Sequence, residues 1–295
     1  MKEEKDFSLQ KTIDALVTLH DKSGKHFDES GNIPLDNSIA KTELDDFYNP
    51  DLLKTAYAQG SVLVEVAADH MIAFTRTITE PVLTISSFTC VRVILESGAI
   101  ASWLLDPKIA RKIHVQRSFA FRYEGLIQQV KFNRSTGDEN KIKDAIFRVD
   151  EVEGKALEIG FERVLNKNGK RIGIAMQMLS TTQLVNEVFK EESSYRLLSA
   201  IAHAHPWALQ QMSFQKTNIG NNLFLEKNLD TIAVWYLCST AGKALVKAIW
   251  YKNQIFGWRR EPLVNLFNYV YDTLGMKKQS DRFWTNLNPA CPDCT

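Results

Sequence analysis

The sequence predicts an all-α fold, a bundle of several helices with one small β-hairpin inserted. Apolar residues recur at helical spacing through most of the chain, and few stretches show the alternation typical of strands. Proline, glycine and polar loops separate these apolar segments at intervals that suit helix boundaries. With 295 residues, 44% of them hydrophobic, the chain is long enough to bury a substantial core.

The first half of the chain is predicted to contain four helices. They cover residues 6–20, 49–79, 82–105 and 108–132. Asn49-Pro50 begins the second of these helices, and Asp106-Pro107 ends the third, because proline cannot continue a helix from the preceding residue. The helix over 82–105 is apolar on most faces, so it should lie at the centre of the fold. The polar stretch 21–38 is predicted as a loop.

The second half is predicted to contain a hairpin followed by four helices. The helices cover residues 182–192, 195–204, 229–252 and 261–275. The Asn-Gly pair in "NKNGKR" is a turn signal, which places the hairpin within residues 145–178. Ser180 and Gln183 have the spacing of a capping box, and Ser193 or Ser194 is expected to cap the next helix. Pro206 limits that helix.

These boundaries divide the chain into three regions, which we expect to form one continuous domain. Residues 1–48 supply an N-terminal helix and loop, residues 49–214 a helical core, and residues 215–295 C-terminal helices that pack on the core. No internal repeat or low-complexity tract separates them.

The charge balance excludes some classes of protein. A net charge of +1 argues against strong non-specific nucleic-acid binding by the whole chain, although a local basic face remains open. The N-terminal "MKEEKDFSLQ" lacks the apolar core of a secretory signal. The two longest apolar runs carry Arg92 and Glu96 in one case and Lys243 and Lys247 in the other, which makes membrane insertion costly. We therefore expect a cytoplasmic protein with no membrane partner.

The cysteines and the known catalytic motifs indicate neither a metal site nor a cofactor. Cys90 and Cys238 lie in apolar helical patterns and are expected to be buried free thiols. Cys291 and Cys294 have CxxC spacing, but no second pair completes a zinc site. The sequence contains no glycine-rich phosphate loop, HExxH motif, nucleophile elbow or dinucleotide fingerprint.

The segment "YRLLSAIAHAHPWAL" contains the candidate catalytic residues. On a helix, Arg196 and His203 would differ by about 20° around the axis and about 10 Å along it, with Ser199 between them. The other positions from 195 to 204 are Tyr, Leu, Ile or Ala. A polar edge this narrow is expected to face a cleft or a neighbouring helix, since exposed helices usually show a broader polar face.

Two interpretations of this edge are open. In the first, it cleaves RNA without a metal: His203 transfers a proton, Arg196 offsets charge on the phosphate, and Ser199 orients a phosphate oxygen or the imidazole. In the second, the protein is a non-catalytic interaction module. Glu96 from the apolar helix then forms a buried network with Arg196 and His203, because a buried carboxylate must be paired. In the first interpretation, Glu96 could instead hold Arg196 or Arg122 in place. His205 is not expected to join His203 in a metal site, since the two would point about 160° apart on a helix.

The spacing Arg196–LLSAIA–His203 resembles the signature of the HEPN superfamily, an arginine and a histidine separated by four to six residues on a helix. With "AADHMIAFTR" and "VRVILESGAIASWLLDP", the segment also resembles an uncharacterised bacterial family over about residues 66–209. The HEPN resemblance implies an all-helical, dimeric protein that cleaves or binds RNA, with toxin–antitoxin or phage-defence partners. By this resemblance, Arg196 and His203 are the functional residues. Leu197 differs from the family pattern, in which a polar residue commonly follows the arginine.

The helix after Asp106-Pro107 is rich in basic residues. Four of them are candidate phosphate contacts: Arg111, Lys112, Arg117 and Arg122. Clustered cations on one helix of an otherwise neutral protein can supply a nucleic-acid-binding surface. The alternative is a solvated helix face or ion pairs with the acidic N-terminal third.

Overall fold

The structure, a computed structural model, describes residues 8–219, 222–227 and 229–276, with the backbone alone for the strand residues after 214. This part of the chain contains eleven helices and two hairpins, so the all-α prediction is confirmed. The helices before the first hairpin are α1 (Leu9–Glu29), α2 (Ile39–Asp46), α3 (Pro50–Thr77), α4 (Ser86–Leu104), α5 (Arg111–Thr136) and α6 (Glu139–Glu158). After it come α7 (Thr181–Phe189), α8 (Glu192–Ala202), α9 (Pro206–Met212), α10 (Thr231–Phe256) and α11 (Glu261–Thr273).

Helix α4 lies at the centre, as its apolar faces predict. It packs against α3 on one side and α10 on another, and α7 and α8 cover a further face. Two glycines make the close approach possible. A Cβ on Gly60 of α3 would lie 2.4 Å from Leu105 Cγ, and one on Gly98 would lie 3.1 Å from the Ala244 carbonyl oxygen. Larger residues at these positions would push the helices apart.

Helix α10 is the second central helix. It is the one helix within the described ranges that is long and apolar enough to cross a membrane by length and composition alone, and 72% of that apolar window is buried inside the protein. Its neighbours include α4, α3 and α1. Apart from Lys243 and Lys247, the residues from Leu237 to Phe256 are almost all buried, with Gln254 half-buried.

The N-terminal region differs from the prediction. Residues 21–38 were expected to form a loop, but α1 continues to Glu29 and α2 follows it. Long-range contacts stabilise this end of α1, where local propensity is weak: His26 Nε2 lies 2.9 Å from Asn253 Oδ1, and Phe27 is buried. The indole of Trp258 donates to the Ile33 carbonyl at 2.8 Å. Tertiary packing therefore overrides the polar composition of this segment.

The predicted hairpin is confirmed, although the segment before it is helical. Strands β1 (Arg163–Leu165) and β2 (Arg171–Ile174) pair antiparallel around the Asn-Gly turn, and α6 occupies most of the region before them. A second hairpin, β3 (Phe214–Ile219) with β4 (Asn222–Lys227), was not predicted.

Two helix starts near the candidate site can be compared with the prediction. The Ser180–Gln183 capping box begins α7, as predicted. The prediction that Ser193 or Ser194 caps α8 is wrong, because Glu191 occupies the N-cap position and Ser194 Oγ donates to its carboxylate.

Candidate functional site

Helix α8 ends in a tight left-handed turn. Ala204 has φ +56°, and its N–H donates to the Ile201 carbonyl at 2.9 Å. The His205 N–H donates to the Ala200 carbonyl at 2.9 Å. This pair of hydrogen bonds is the Schellman arrangement, which normally places glycine at the left-handed position. The turn leads directly into Pro206, the first residue of α9, so His203 and His205 lie on a compact corner between two helices.

The corner brings two imidazole rings together. The ring centres of His203 and His205 lie 6.5 Å apart in an edge-on arrangement, and both residues are exposed. The expectation that these side chains point about 160° apart is wrong, because it assumed a continuous helix. The helix ends at Ala202, and the left-handed residue between the histidines turns the second ring back toward the first.

Arg196 lies on the solvent side of α8. Its side chain is 67% exposed, and its Nε and one terminal nitrogen each lie 2.8 Å from Glu192 Oε1. The prediction that this polar edge faces a cleft or a neighbouring helix is therefore wrong. Helices α4, α7 and α9 pack on the other faces of this short helix and leave the Arg196 face uncovered.

Ser199 and His203 remain on the same edge as Arg196. Ser199 is half-buried, and its carbonyl accepts the His203 N–H at 3.0 Å, so the backbone keeps helical geometry up to the histidine. Arg196 and His203 are seven positions apart, which corresponds to about 10 Å along the helix axis. A single phosphodiester group is too small to bridge that distance by itself, whereas a nucleotide segment could touch both.

A cleft beside this edge does not include the predicted catalytic pair. It has a volume of about 440 Å³ and lies where α8, α9 and α10 meet. Its lining includes Leu197, Met212 and Trp235, whereas Arg196 and His203 are not among the described residues that line it. The catalytic candidates thus occupy an open corner next to an apolar cleft.

Glu96 has different partners from those predicted. It accepts a hydrogen bond from Tyr195 Oη at 2.7 Å and one from Arg92 Nε at 2.9 Å. The proposed buried network of Glu96, Arg196 and His203 is therefore wrong, since the arginine and the histidine are exposed. The residue of α8 that reaches Glu96 is Tyr195, which precedes Arg196 and points toward α4.

The four basic residues predicted for phosphate binding lie on α5 in different environments. Arg111 is exposed and lies 3.4 Å from Asp46, and the Lys112 ammonium lies 5.8 Å from the ring centre of Phe161. Arg122 is half-buried. These three keep their side chains at least partly accessible to a ligand.

Arg117 differs from the other three because it is an interior residue. Its side chain is only 12% exposed and stacks 4.8 Å from the Trp103 ring centre, where it donates to the Trp103 carbonyl. Burial lowers the pKa of this guanidinium, and Asp106, 3.9 Å away, partly compensates. Arg117 therefore holds the end of α4 in place, and its prediction as a phosphate contact is wrong.

Trp207 is a surface aromatic that the sequence reasoning did not select. It follows Pro206 at the start of α9, two positions after His205, and is 55% exposed. A large exposed aromatic ring beside two histidines can stack on a nucleobase. The dipeptide Pro-Trp after "HAH" could have indicated an exposed aromatic residue here, since a tryptophan is rarely fully buried and this one lies in the first turn of a short helix.

A second group of titratable residues is buried between α2, α3 and α5. His114 is fully buried, its Nδ1 lies 2.8 Å from the Leu104 carbonyl, and burial lowers its pKa to about 4. Its Nε2 lies 3.9 Å from Glu43 and has no hydrogen-bond partner among the described residues. Tyr57 donates to the same carboxylate, whose pKa burial raises. This group fixes α2 against the core.

The cysteines within the described ranges form neither a disulfide nor part of a metal-binding cluster. Cys90 and Cys238 are free thiols; Cys238 is buried, as predicted, whereas Cys90 is only partly buried. Burial raises the pKa of Cys238 to about 12. No group of three or more potential metal-binding side chains occurs in the described part of the chain. Cys291 and Cys294 lie outside the described residues.

Comparisons with known proteins find no relative of this chain. No protein-family model matches the sequence, and no curated protein and no solved structure matches it significantly.

Proposed function

We propose that the corner at the end of α8 binds RNA and cleaves it without a metal ion. Arg196, about two turns before this corner, belongs to the same site as His203 and His205, and the three residues are called the α8 edge below. The observation that supports this function best is that the two imidazoles at the end of α8 and the guanidinium on its solvent side are all exposed. Proton transfer and charge compensation require these side-chain types in a position that a polyanion can reach.

The reaction proposed is an internal transesterification. One neutral imidazole takes the proton of the ribose 2′-hydroxyl, and the 2′-oxygen attacks the adjacent phosphorus. The bond from phosphorus to the 5′-oxygen breaks, and the second imidazole, protonated, donates its proton to that oxygen. The products are a 2′,3′-cyclic phosphate and a 5′-hydroxyl. Because one phosphodiester group is too small to reach both ends of the edge, Arg196 of the same subunit neutralises the charge of a neighbouring phosphate and holds the strand in place.

Other accessible residues suggest how a single strand could be held. Trp207 offers an aromatic face to one base, and Arg111, Lys112 and Arg122 on α5 supply cations for more distant phosphates. Glu192 opposes binding, because it neutralises Arg196 in the free protein. A phosphate must replace the Glu192 carboxylate before the guanidinium can act.

The HEPN resemblance adds a dimer to this proposal. Two copies related by a twofold axis would place two α8 edges across one groove, and each phosphate would then meet groups from both subunits. Within the same proposal, the cellular context is a toxin or phage-defence system with a protein antitoxin or a sensor as partner. The distance between Arg196 and His203 along the helix makes a second subunit useful, since its arginine could approach the first subunit's histidines.

The test measures cleavage of a labelled single-stranded RNA in the presence of EDTA. We expect His203→Ala and His205→Ala each to lower the cleavage rate on the order of 10²-fold or more, and Arg196→Ala to lower it similarly. The matched controls are His20→Ala and Arg148→Ala, a histidine on α1 and an exposed arginine on α6. These controls should cleave at the wild-type rate, and circular dichroism should show every variant folded.

Two outcomes would reject catalysis at the α8 edge. One is wild-type cleavage by the His203→Ala/His205→Ala double variant, and the other is the absence of RNA cleavage by the wild-type protein. RNA binding without cleavage, lost in Arg196→Ala, would instead identify an RNA-binding protein. The competing function, a non-catalytic interaction module, is favoured by Leu197 and by the pairing of Arg196 with Glu192. It requires that the protein neither binds nor cleaves RNA.

A further inference from the structure

Apolar side chains are exposed at the mouth of the cleft between α8, α9 and α10. Ile232, in the first turn of α10, is 76% exposed, and Trp235, one turn later, is 37% exposed. Both line this cleft of about 440 Å³, together with Leu197 of α8 and Met212 of α9. Exposed apolar side chains that share a concave surface mark a contact with another segment or molecule.

The helices that form the cleft are held in place by contacts of their own. Asp230 caps α10 by accepting the Ala233 N–H at 2.7 Å. Tyr195 ties α8 to the central helix α4 through its hydrogen bond of 2.7 Å to Glu96. The apolar surface is therefore formed by the fold itself, before anything binds to it.

The C-terminal end of the described chain lies against one wall of this cleft. The Trp235 indole N–H donates to the Leu274 carbonyl at 2.9 Å. Gly275 has φ +69°, and the Met276 N–H donates back to the Tyr271 carbonyl at 2.7 Å, which turns the chain at the end of α11. The segment after Met276 therefore begins beside a residue that lines the cleft.

That segment, residues 277–295, is mostly polar and contains one pair of adjacent aromatic residues. It reads "KKQSDRFWTNLNPACPDCT", with the aromatic pair at Phe283 and Trp284. The chain from Met276 to Phe283 spans up to about 23 Å when extended, which is enough to cross the cleft. Large aromatic side chains gain most from burial against an apolar surface, and the nearest one is the cleft beside Trp235.

Charge favours this segment over the other end of the chain. Asp230 is the one charged side chain among the described residues that line the cleft, and it is exposed. Lys277, Lys278 and Arg282 precede the aromatic pair, whereas residues 1–7, "MKEEKDF", carry three carboxylates against two lysines. The acidic side chain at the cleft attracts the basic C-terminal segment and disfavours the acidic N-terminal one.

We propose that the segment around Phe283 and Trp284 docks in this cleft of its own chain. The two rings pack on the apolar walls and cover Ile232, and Arg282 pairs with Asp230. A segment of the same chain has only a short loop to close, so it competes well against a second copy of the protein. The inference does not depend on RNA binding or on the α8 edge.

The test places the photoreactive amino acid p-benzoylphenylalanine at position 284 of the full-length protein. After irradiation, mass spectrometry should find cross-links to the walls of the cleft, such as Leu197 and Met212, in a product with the mass of one chain. The same reporter at Tyr48 is the control. Tyr48 is 70% exposed and follows α2, which packs at the far end of α10, so it should give none of these cross-links.

A charge at the mouth of the cleft should prevent docking. Ile232→Arg removes an apolar contact and repels Arg282, so it should lower the cross-linking yield from position 284 to less than about a fifth. Because Ile232 is exposed, this variant should fold as the wild type does. The matched control is Val62→Arg, at an aliphatic residue of α3 that is 61% exposed, and its yield should be unchanged.

A second measurement needs no reporter. Phe283→Ser/Trp284→Ser should lower the melting temperature by about 3–6 °C, because two buried rings are lost. Asn286→Ser/Asn288→Ser changes polar positions of the same segment and should melt as the wild type does.

Several outcomes would overturn the proposal. Cross-links to the cleft in a product of twice the mass would assign it to a second copy. Cross-links to the cleft from the reporter at Phe7, with none from position 284, would assign it to the N-terminal segment. No cross-link to the cleft from either position, an unchanged yield in Ile232→Arg, or an unchanged melting temperature in the aromatic variant would also overturn it.

Discussion

Tyr195 on α8 donates a hydrogen bond of 2.7 Å to Glu96 on α4, and the two residues are 99 positions apart in the chain. Arg92, one turn before Glu96, donates to the same oxygen and lies with its guanidinium 5.9 Å from the Tyr195 ring centre. Burial raises the pKa of the Tyr195 phenol, and the neighbouring carboxylate raises it further. This three-residue contact attaches the helix of the α8 edge to the centre of the fold.

The first prediction concerns this contact. Tyr195→Phe keeps the ring and removes the hydroxyl, so it should lower the free energy of unfolding by about 1.5–3 kcal/mol, the usual contribution of a hydrogen bond to a charged group. Urea denaturation measures the change. Tyr48→Phe, at a tyrosine that is 70% exposed, is the control and should change stability by less than about 0.5 kcal/mol. Equal stability of the two variants would mean that the hydroxyl contributes nothing.

The second prediction concerns pH and the buried His114. Its pKa is about 4 in the folded protein and about 6.5 when exposed, so the unfolded chain binds more protons between these values. The contribution of neutral His114 to the free energy of unfolding is therefore fully present above about pH 6.5. It decreases as the pH drops toward 4, by about 3 kcal/mol in total. In His114→Asn, which retains a donor for the Leu104 carbonyl, the fall should be correspondingly smaller.

The measurement is urea unfolding at several pH values from 4 to 7, with His20→Asn, at a partly exposed histidine, as the control. Glu43 has a pKa raised by burial and acts in the opposite sense, since its protonation favours the folded state. It lies 3.9 Å from His114 Nε2, so the comparison reports the two neighbouring groups together. The same slope in His114→Asn and in the wild type would assign the acid sensitivity to other groups.

The third prediction concerns the turn at the end of α8. Ala204 has φ +56°, a conformation that costs a residue with a Cβ about 1–2 kcal/mol relative to glycine. Ala204→Gly should stabilise the protein by about 0.5–1 kcal/mol after the extra entropy of the unfolded glycine is subtracted. Thermal denaturation reports the change. Ala58→Gly, on the exposed face of α3, should destabilise by about 1 kcal/mol, and the same sign for both variants would contradict the assignment.

The fourth prediction separates a packed glycine from an open one. Gly60→Ala places a methyl group 2.4 Å from Leu105 Cγ between α3 and α4, so it should destabilise by about 1–3 kcal/mol. Gly125 in α5 has no neighbouring atom within 4 Å, and Gly125→Ala should stabilise by up to about 1 kcal/mol because alanine favours the helix. Chemical denaturation distinguishes the two. A stabilising Gly60→Ala would show that the helices can separate freely.

The sequence predicted the elements whose signals are local. The apolar pattern of α4, the Pro50 start of α3, the capping box of α7 and the Asn-Gly hairpin each depend on residues within one or two turns, and all are present. The prediction failed where long-range packing determines the secondary structure. The last two turns of α1 are polar, and they are helical because Phe27 and His26 meet α10 and Trp258, which lie more than 220 residues later.

The candidate site was predictable in its residue types and not in its geometry. Periodicity placed Arg196 and His203 on one edge, but it treated the helix as continuing past Ala202. The left-handed position after the helix is Ala204 and not the glycine that usually marks such a turn, so no sequence signal showed that the helix ends there. His205 was therefore assigned to the opposite side of the helix. Arg117 was grouped with surface cations because its interior position depends on Trp103, which belongs to a different helix.

The contacts between the two ends of the chain bear on how the protein is made. His26 contacts Asn253, which is 227 positions later in the chain, and Trp258 donates to the carbonyl of Ile33, 225 positions before it. The Leu35 N–H donates to the Phe256 carbonyl in the same region. On the ribosome, the first helix can pack on α3 soon after both have emerged from the exit tunnel. Its contacts with α10 and α11 form only after the last part of the chain has been synthesised, so this side of the helix is completed late in folding.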